Sequence, residues 1–155
     1  MPRANRSADA GSATDTGSAA LEFVLAGVLL LVPLVYLVLA LGQIQAHALG
    51  AESGARHIAR AIASASGPAA ADARAQAVLA TTIAEYDLAP DSVRVTLSCV
   101  PATATCPEAG GTVVVTVSAR ARLPLVPGVL GLDRVASVPV EASAAQRVSR
   151  FWGAG

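Results

Sequence analysis

The first part of the chain places one long apolar stretch between two polar ones. Residues 1–17 are small and polar without a hydrophobic period, which is typical of a disordered leader. From Phe23 to Ala51 there is no Asp, Glu, Lys or Arg, and residues 23–41 are almost entirely Leu, Val and Ala. About 20 apolar residues cross the roughly 30 Å hydrocarbon core of a bilayer. The pattern therefore predicts a single membrane-spanning helix over residues 18–42.

Beyond this span the apolar positions follow a helical stripe. Ile and Ala recur at alternating spacings of four and three, at Ile44, Ala48, Ala51, Ala55, Ile58 and Ile62. Such spacing puts them on one face of a helix. Glu52 and Arg56 are four residues apart on another face, as an ion pair requires. We expect the span to continue as an amphipathic helix over residues 43–66, because Gly67 and Pro68 then break the pattern.

Residues 67–155 predict a small domain with a second helix and a sheet. Residues 71–86 place an apolar face on one side of a helix, formed by Ala71, Ala75, Val78, Leu79, Thr82 and Ile83. Alternation of apolar and polar residues then predicts strands at 92–100 and 112–123, each with one buried face. In the first strand that face consists of Val93, Val95, Leu97 and Cys99. A third candidate strand, residues 135–144, contains Pro139 and belongs at a sheet edge. The predicted fold class is α+β, with a small antiparallel sheet.

Two further segments are apolar without a clear period. Residues 123–133, LPLVPGVLGLD, are broken by prolines and glycines and predict a loop whose apolar residues are exposed or covered by a partner. The C-terminal tail carries Phe151 and Trp152 beside Arg147 and Arg150. The two aromatic residues could dock a partner, but terminal residues are usually frayed, so we expect this tail to be frayed.

Charge limits the classes of partner. Eleven Arg, with no Lys, balance eleven acidic residues, so no basic field is available to hold nucleic-acid phosphates. Arg3 and Arg6 lie on the short side of the span, whereas Arg56 and Arg60 lie well beyond its other end, where they contribute less to orientation. We expect a cytoplasmic N-terminus and an extracytoplasmic domain over residues 67–155, with no nucleic-acid partner.

Two cysteines and two histidines are the candidate metal ligands. Cys99 and Cys106 enclose the segment VPATAT, and outside the membrane such a pair is expected to form a disulfide. Neither His47 nor His57 is near the cysteines in sequence, which favours a disulfide over a metal site. The histidines are ten residues apart and differ by about 280° around a helix, so they share no face. Each is expected to be solvated.

No pattern of catalytic residues is present in the sequence. There is no G-x-S-x-G turn, no glycine-rich phosphate loop, and no histidine after the second helix to serve as a base. We therefore expect no enzymatic activity, no cofactor and no small-molecule substrate.

A glutamate, Glu22, stands at the head of the span. A carboxylate at the centre of a span costs about 2.5–3.5 kcal/mol, and less near the interface, so its placement there invites a functional explanation. Glu22 lies five positions after Gly17 and directly before Phe23. The segment GSAALEF, residues 17–23, resembles the class III signal of type IV pilins. With the following apolar span and its Pro33, it most resembles the TadE-like minor pilins of tight-adherence (Flp) pilus systems.

The resemblance implies a pilin-like fold and a role in pilus assembly. A prepilin peptidase, an aspartyl protease of the membrane, would cut between Gly17 and Ser18 on the cytoplasmic face. In the mature assembly helix Glu22, followed by Phe23, would pair with the terminal amine of a neighbouring subunit. The implied partners are the membrane, the peptidase, other pilin subunits and the pilus assembly machinery.

Two other fates of the span remain open. Ala46-His47-Ala48 is an A-x-A pattern that ordinary signal peptidase prefers, and cleavage there would release a domain beginning at Leu49. The apolar run exceeds the usual 7–15 residues of a secretory signal, and this cut would interrupt the helical stripe. The other alternative, which these points favour over release at Leu49, is an uncut membrane anchor. Both fates correspond to a single-pass anchored or secreted small binding domain unrelated to pili.

Overall fold

The computed structural model describes residues 15–102, 105–124 and 136–153, which form two helices followed by three strands. The elements are α1 (Asp15–Ala63), α2 (Pro68–Glu85), a 3₁₀ turn (Pro90–Ser92), β1 (Arg94–Val100), β2 (Thr112–Arg122) and β3 (Ser137–Arg147). This confirms the α+β class, with helices preceding an antiparallel sheet. Most of the expected leader and most of the expected loop over residues 123–133 lie outside the described residues.

The chain divides into two compact units, the first ending at Val38 and the second beginning at Leu39. Helix α1 begins at Asp15, three residues before its expected start, since no proline separates this segment from the apolar run. Pro33 lies inside the helix, as expected. In the first unit every described side chain is exposed except that of Tyr36, which is half-buried. The apolar side chains described in this unit are therefore exposed rather than packed in a core.

In the second unit α1 becomes the central core helix. Four members of the predicted stripe are buried (Ala51, Ala55, Ile58 and Ile62), and Ile44 is half-buried. Ala48 was expected in the same face but is exposed, because the buried face widens toward α2 and leaves position 48 at its open margin. The expected ion pair between Glu52 and Arg56 forms, with both side chains well exposed. Such a surface pair contributes little stability.

Helix α2 packs on α1 through the face that the sequence predicted. Ala71 and Thr82 are buried, and the other four members of that face are half-buried. On α1 the facing positions are Gly50 and Gly54, both buried, which bring the two helix backbones close together at Tyr86 and Thr82. The missing side chains of the two glycines thus set the spacing of the helix pair.

The sheet has the order β1-β2-β3, with β2 paired antiparallel to both neighbours. The inner face of β2 is fully covered, and its buried residues are Val113, Val115, Val117, Ala119 and Ala121. Three of them pack with Ile58 and Ile62 in one core cluster, while Ala119 and Ala121 pack with Leu88 and Val140 in a second. Pro139 lies in the edge strand β3, as predicted. Helix α1 and strand β2 therefore hold the centre of the core.

Strand β1 is less covered than its alternation predicts. Val95 and Cys99 are half-buried, but Leu97 between them is 49% exposed. Strand β1 is an edge strand, and the core residues of α1 cover the central strand instead. The prediction that Leu97 is buried is therefore wrong, because alternation shows which face a residue occupies but not how far the layer above extends.

The C-terminal segment is docked, contrary to the expected fraying. Val148 is buried, and Trp152 packs against the larger core cluster, whereas Phe151 is 81% exposed. The amide of Ser149 donates to the carbonyl of Ala63 at 2.9 Å, and that of Gly153 to Ser66 at 2.9 Å. The last four carbonyl groups of a helix have no N–H donor within the helix. The tail thus supplies a donor to the carbonyl of Ala63, at the end of α1, and covers one side of the core.

Candidate functional site

The predicted cleavage position lies in the first turn of α1. The peptide bond between Gly17 and Ser18 follows the helix start at Asp15 by only two residues. The first four N–H groups of a helix have no intrahelical acceptor, so opening this turn breaks few hydrogen bonds. A glycine in a helix also destabilises it by roughly 0.5–1 kcal/mol relative to alanine. This backbone is therefore easier to unwind than an interior turn of α1.

Glu22 and Phe23 are both exposed, and Phe23 reaches 81% exposure. Glu22 follows Ser18 by four residues, and positions four apart share one helix face about one turn apart. In the part of the chain that the structure describes, the Glu22 carboxylate makes no ion pair. The site thus offers a carboxylate one turn from the position that cleavage would turn into an α-amine.

The helix that carries this site has the length and composition of a membrane span. Within the described residues one helix passes that test, over Ala19–Ala63, with a mean hydropathy of 2.9 and only 6% of its most apolar window buried. The exposed large side chains begin at Leu21 and continue to Leu41. On a protein surface, a contiguous exposed apolar patch of this extent marks a site of contact with a membrane or with a partner protein. A core helix of a soluble protein would instead be mostly covered.

The predicted disulfide is present. Cys99, in β1, is bonded to Cys106 in the loop to β2, with the two Cα atoms 5.8 Å apart. The loop then turns at Gly110, whose φ of 77° favours glycine, and the amide of Gly111 donates to the carbonyl of Glu108 at 3.0 Å. The disulfide therefore ties the loop to the beginning of the β1–β2 pair.

His47 was expected to be solvated, and this prediction is wrong. The side chain is only 9% exposed, and its Nδ1 atom has no hydrogen-bond partner in the described structure. The sequence carried a signal for this burial: His47 precedes Gly50 by three residues and Gly54 by seven, so it shares the face that α2 covers. His57 is exposed, as predicted, and its Nδ1 lies 3.4 Å from the Ser53 hydroxyl.

A cleft of about 310 Å³ opens beside His47, and sequence reasoning missed it entirely. Its charged lining comes from four residues that are distant from α1 in sequence: Asp87, Asp91, Arg120 and Arg122. Arg122 donates to Asp91 at 3.3 Å, with both groups exposed. These charges are brought together by the turn after α2 and by the end of β2, which no local pattern could indicate.

The described residues also bear on metal binding and catalysis. Over residues 15–102, 105–124 and 136–153, no three His, Cys, Asp or Glu side chains gather as metal ligands. Ser53 and His57 approach each other on the surface of α1, where Ser53 is half-buried and His57 is exposed.

The fold defines an α+β chain with one N-terminal helix apolar and long enough to cross a membrane. Comparison with protein-family models, with curated proteins and with solved structures finds no match to this chain.

Proposed function

We propose that this chain is a TadE-like minor pilin, a subunit that takes part in the assembly of a tight-adherence pilus. One observation carries the proposal. The segment GSAALEF, residues 17–23, stands at the beginning of an apolar helix whose described side chains are almost all uncovered in the first unit. A cleavable glycine, a carboxylate five residues later and an uncovered helix are the parts that such a subunit needs.

Cleavage between Gly17 and Ser18 explains why a carboxylate is present at Glu22. It creates an α-ammonium at Ser18, one helical turn before Glu22, and the helix dipole favours an anion in this first turn. A carboxylate near lipid is stabilised by a cation, which a neighbouring subunit supplies through its own terminal amine. Lateral packing of the uncovered helices then aligns one subunit against the next, and the Glu22 pair sets their stagger.

The same features support an orientation. Arg3 and Arg6 precede the span, and positive charges near a span favour the cytoplasmic side. The disulfide between Cys99 and Cys106 belongs to an oxidising compartment. The two observations agree on a cytoplasmic N-terminus and an extracytoplasmic second unit, held at the cytoplasmic membrane until it enters a surface pilus.

The proposal is tested by sequencing the amino terminus of the mature protein from membranes and from shed surface material. The expected start is Ser18. Gly17→Leu should leave only the full-length precursor, because a bulky side chain replaces the glycine before the cut. Gly27→Leu is the matched control, since a β-carbon at Gly27 meets nothing within 4 Å and the site lies beyond the signal.

Other starting residues would reject the pilin mechanism. A start at Leu49 would show that ordinary signal peptidase releases the second unit as a secreted domain. An uncut chain in the presence of an active prepilin peptidase would leave a single-pass anchored binding domain. Normal maturation of Gly17→Leu would also count against cleavage at Gly17.

A further inference from the structure

The sheet has two edges that differ in sequence and carry no further strand among the residues described. The order β1-β2-β3 leaves β1 at one edge and β3 at the other. An edge strand turns the N–H and C=O groups of alternate residues away from the sheet. Among the described residues, no backbone hydrogen bond outside the sheet ladder reaches β1 or the part of β3 after Pro139. Each edge therefore keeps the backbone groups that a further strand would use.

The pairing registers place the residues of β1 and β3 in common rows across β2. Ser118 of β2 lies opposite Arg94 of β1 and opposite Glu141 of β3. At the other end of β1, Val100 shares its row with Arg147 of β3. Both edge strands run antiparallel to β2 and hence parallel to each other. The seven residues of β1 therefore correspond row by row to a segment of β3 that excludes its proline, which has no N–H to donate.

The first of these rows carries opposite charges at its two ends. Arg94 and Glu141 are both exposed, and neither has an ion-pair partner among the residues described. Within one copy β2 separates their backbones by roughly 10 Å, two strand spacings. If β1 of one copy lies beside β3 of another in the same register, that separation falls to roughly 5 Å, and opposite charges on neighbouring strands attract. An antiparallel arrangement would instead place Arg94 opposite Arg147, a like charge.

The two edges also complement each other in their apolar residues. On the inner face of the sheet Leu97 of β1 is half-exposed. At the other edge an open groove of about 460 Å³ lies between α1 and β3, with Ala48, Leu49 and Ala142 in its lining. The Leu49 side chain is 59% exposed. In the shared register Leu97 of a second copy comes beside Ala144, the next inward-facing position after Ala142 on β3. The uncovered leucine of one edge thus meets the open groove of the other.

We propose that these two edges bind each other, so that β1 of one copy of this chain adds in parallel to β3 of a second copy. Pairing of β1 with itself fits less well, because it leaves the groove beside Leu49 empty and Glu141 without a cation. The contact joins two different surfaces, so each pair of copies retains one free β1 and one free β3, and a third copy can bind. The inference concerns the second unit alone and depends neither on cleavage after Gly17 nor on a pilus.

Disulfide formation between introduced cysteines tests this contact in the full-length protein. Thr96 and Ser143 share a row, and both are exposed. Within one copy Thr116 lies between them, and Cα atoms more than about 7 Å apart cannot be bridged. Between copies the proposed register brings the two Cα atoms to roughly 5 Å, within disulfide range. After mild oxidation of expressing cells, Thr96→Cys/Ser143→Cys should give a ladder of dimers, trimers and larger species on a non-reducing gel.

Matched variants separate this register from other contacts. Each single cysteine substitution should stay monomeric, because it leaves one edge without a thiol. Thr96→Cys with Arg147→Cys is the control, since the second cysteine then lies four residues, about 13 Å, out of register. In the Thr96→Cys/Ser143→Cys chain, Arg94→Glu should reduce the ladder about fivefold, the upper scale for an exposed charge pair. Addition of Glu141→Arg should restore the ladder, because the two charges are opposite again.

Three results would overturn the proposal. A dimer of Thr96→Cys alone would show that β1 pairs with itself. An absent ladder, or an equal ladder in the Thr96→Cys/Arg147→Cys control, would exclude the proposed register. An unchanged ladder with Arg94→Glu would exclude its pairing with Glu141. The fluorescence of Trp152, packed on the core, verifies that each variant is folded. None of these results depends on where the amino terminus is cut, so the pilin proposal stands or falls separately.

Discussion

The side chain of Tyr86 lies directly on the backbone of Gly50. A β-carbon at Gly50 would stand 2.8 Å from both Cβ and Cγ of Tyr86, which is closer than such atoms approach in folded proteins. One turn further along α1, a β-carbon at Gly54 would stand 3.1 Å from Cγ2 of Thr82. These paired contacts fix how near α2 lies to α1, and every residue that the two helices cover depends on that separation.

Gly50→Ala should destabilise the second unit by about 1–3 kcal/mol, the usual range for overpacking a close contact. The obstructing atoms sit at the root of the tyrosine, so rotation of its ring cannot relieve the clash. Gly54→Ala should cost less, because its contact is longer. Gly42→Ala is the control, since its β-carbon meets nothing within 4 Å and alanine favours the helix. Denaturant unfolding of the detergent-solubilised protein, followed by Trp152 fluorescence, measures the loss of stability in each of the three variants. Equal losses at positions 42 and 50 would contradict the expected order.

Replacing Cys99 and Cys106 together with serine should destabilise the second unit by about 2.5 kcal/mol, the loop-entropy value for a closed loop of roughly eight residues. The loss arises mainly because the unfolded chain regains the freedom that the disulfide removes. The same unfolding assay measures it, and Ser98→Ala, an exposed neighbour in β1, serves as the control. Thiol labelling of the unaltered protein in intact cells should find neither cysteine free; efficient labelling of both would place the second unit in the cytoplasm.

Glu22→Ala should leave cleavage between Gly17 and Ser18 intact yet strongly reduce incorporation into surface filaments. In the pilin mechanism proposed above, the peptidase would act before the glutamate is needed, whereas the subunit contact would require a carboxylate to meet the new amine. Immunodetection in sheared surface fractions and in membranes separates the two steps. Glu52→Ala is the control, because it removes an exposed carboxylate from a surface ion pair of the second unit. Full incorporation of the Glu22 variant would refute the assembly role.

Trp152→Ala should destabilise the second unit by about 2–4 kcal/mol, near the lower part of the range for large aromatic truncations because the ring is only partly buried. Phe151→Ala should change stability by less than about 0.5 kcal/mol, since that ring is 81% exposed. Thermal unfolding by far-UV circular dichroism compares the two adjacent substitutions. Similar losses at both positions would show that the tail docks differently from the structure.

Local patterns predicted the elements well because each element satisfies its own period. The stripe from Ile44 to Ile62 identified one long helix, and the alternation in residues 112–123 identified the inner face of β2. Pro139 marked an edge strand because it cannot donate to a ladder. The nearness of the two cysteines in sequence indicated their disulfide. In each case the decisive interaction lies within a few residues of the signal.

The residues whose burial was predicted wrongly depend on interactions with distant parts of the chain. Ala48, Leu97 and His47 were assigned to the wrong environment because their burial depends on which other element lies over them. Trp152 was expected to fray, yet it docks because the end of α1 and the sheet form a surface for it. Periodicity defines a face of one element, but it contains no information on the reach of its neighbours.

The sequence by itself determined the apolar helix, its glutamate after Gly17, the period of each later element and the disulfide, because these depend on short spacings along the chain. Only the tertiary structure decided which positions of α1 receive α2, where the C-terminal segment docks, and that Asp87 and Arg120 share a cleft with His47. Those outcomes require residues far apart in sequence to meet. Close packing of glycines, valines and alanines in one small core decides which of them do.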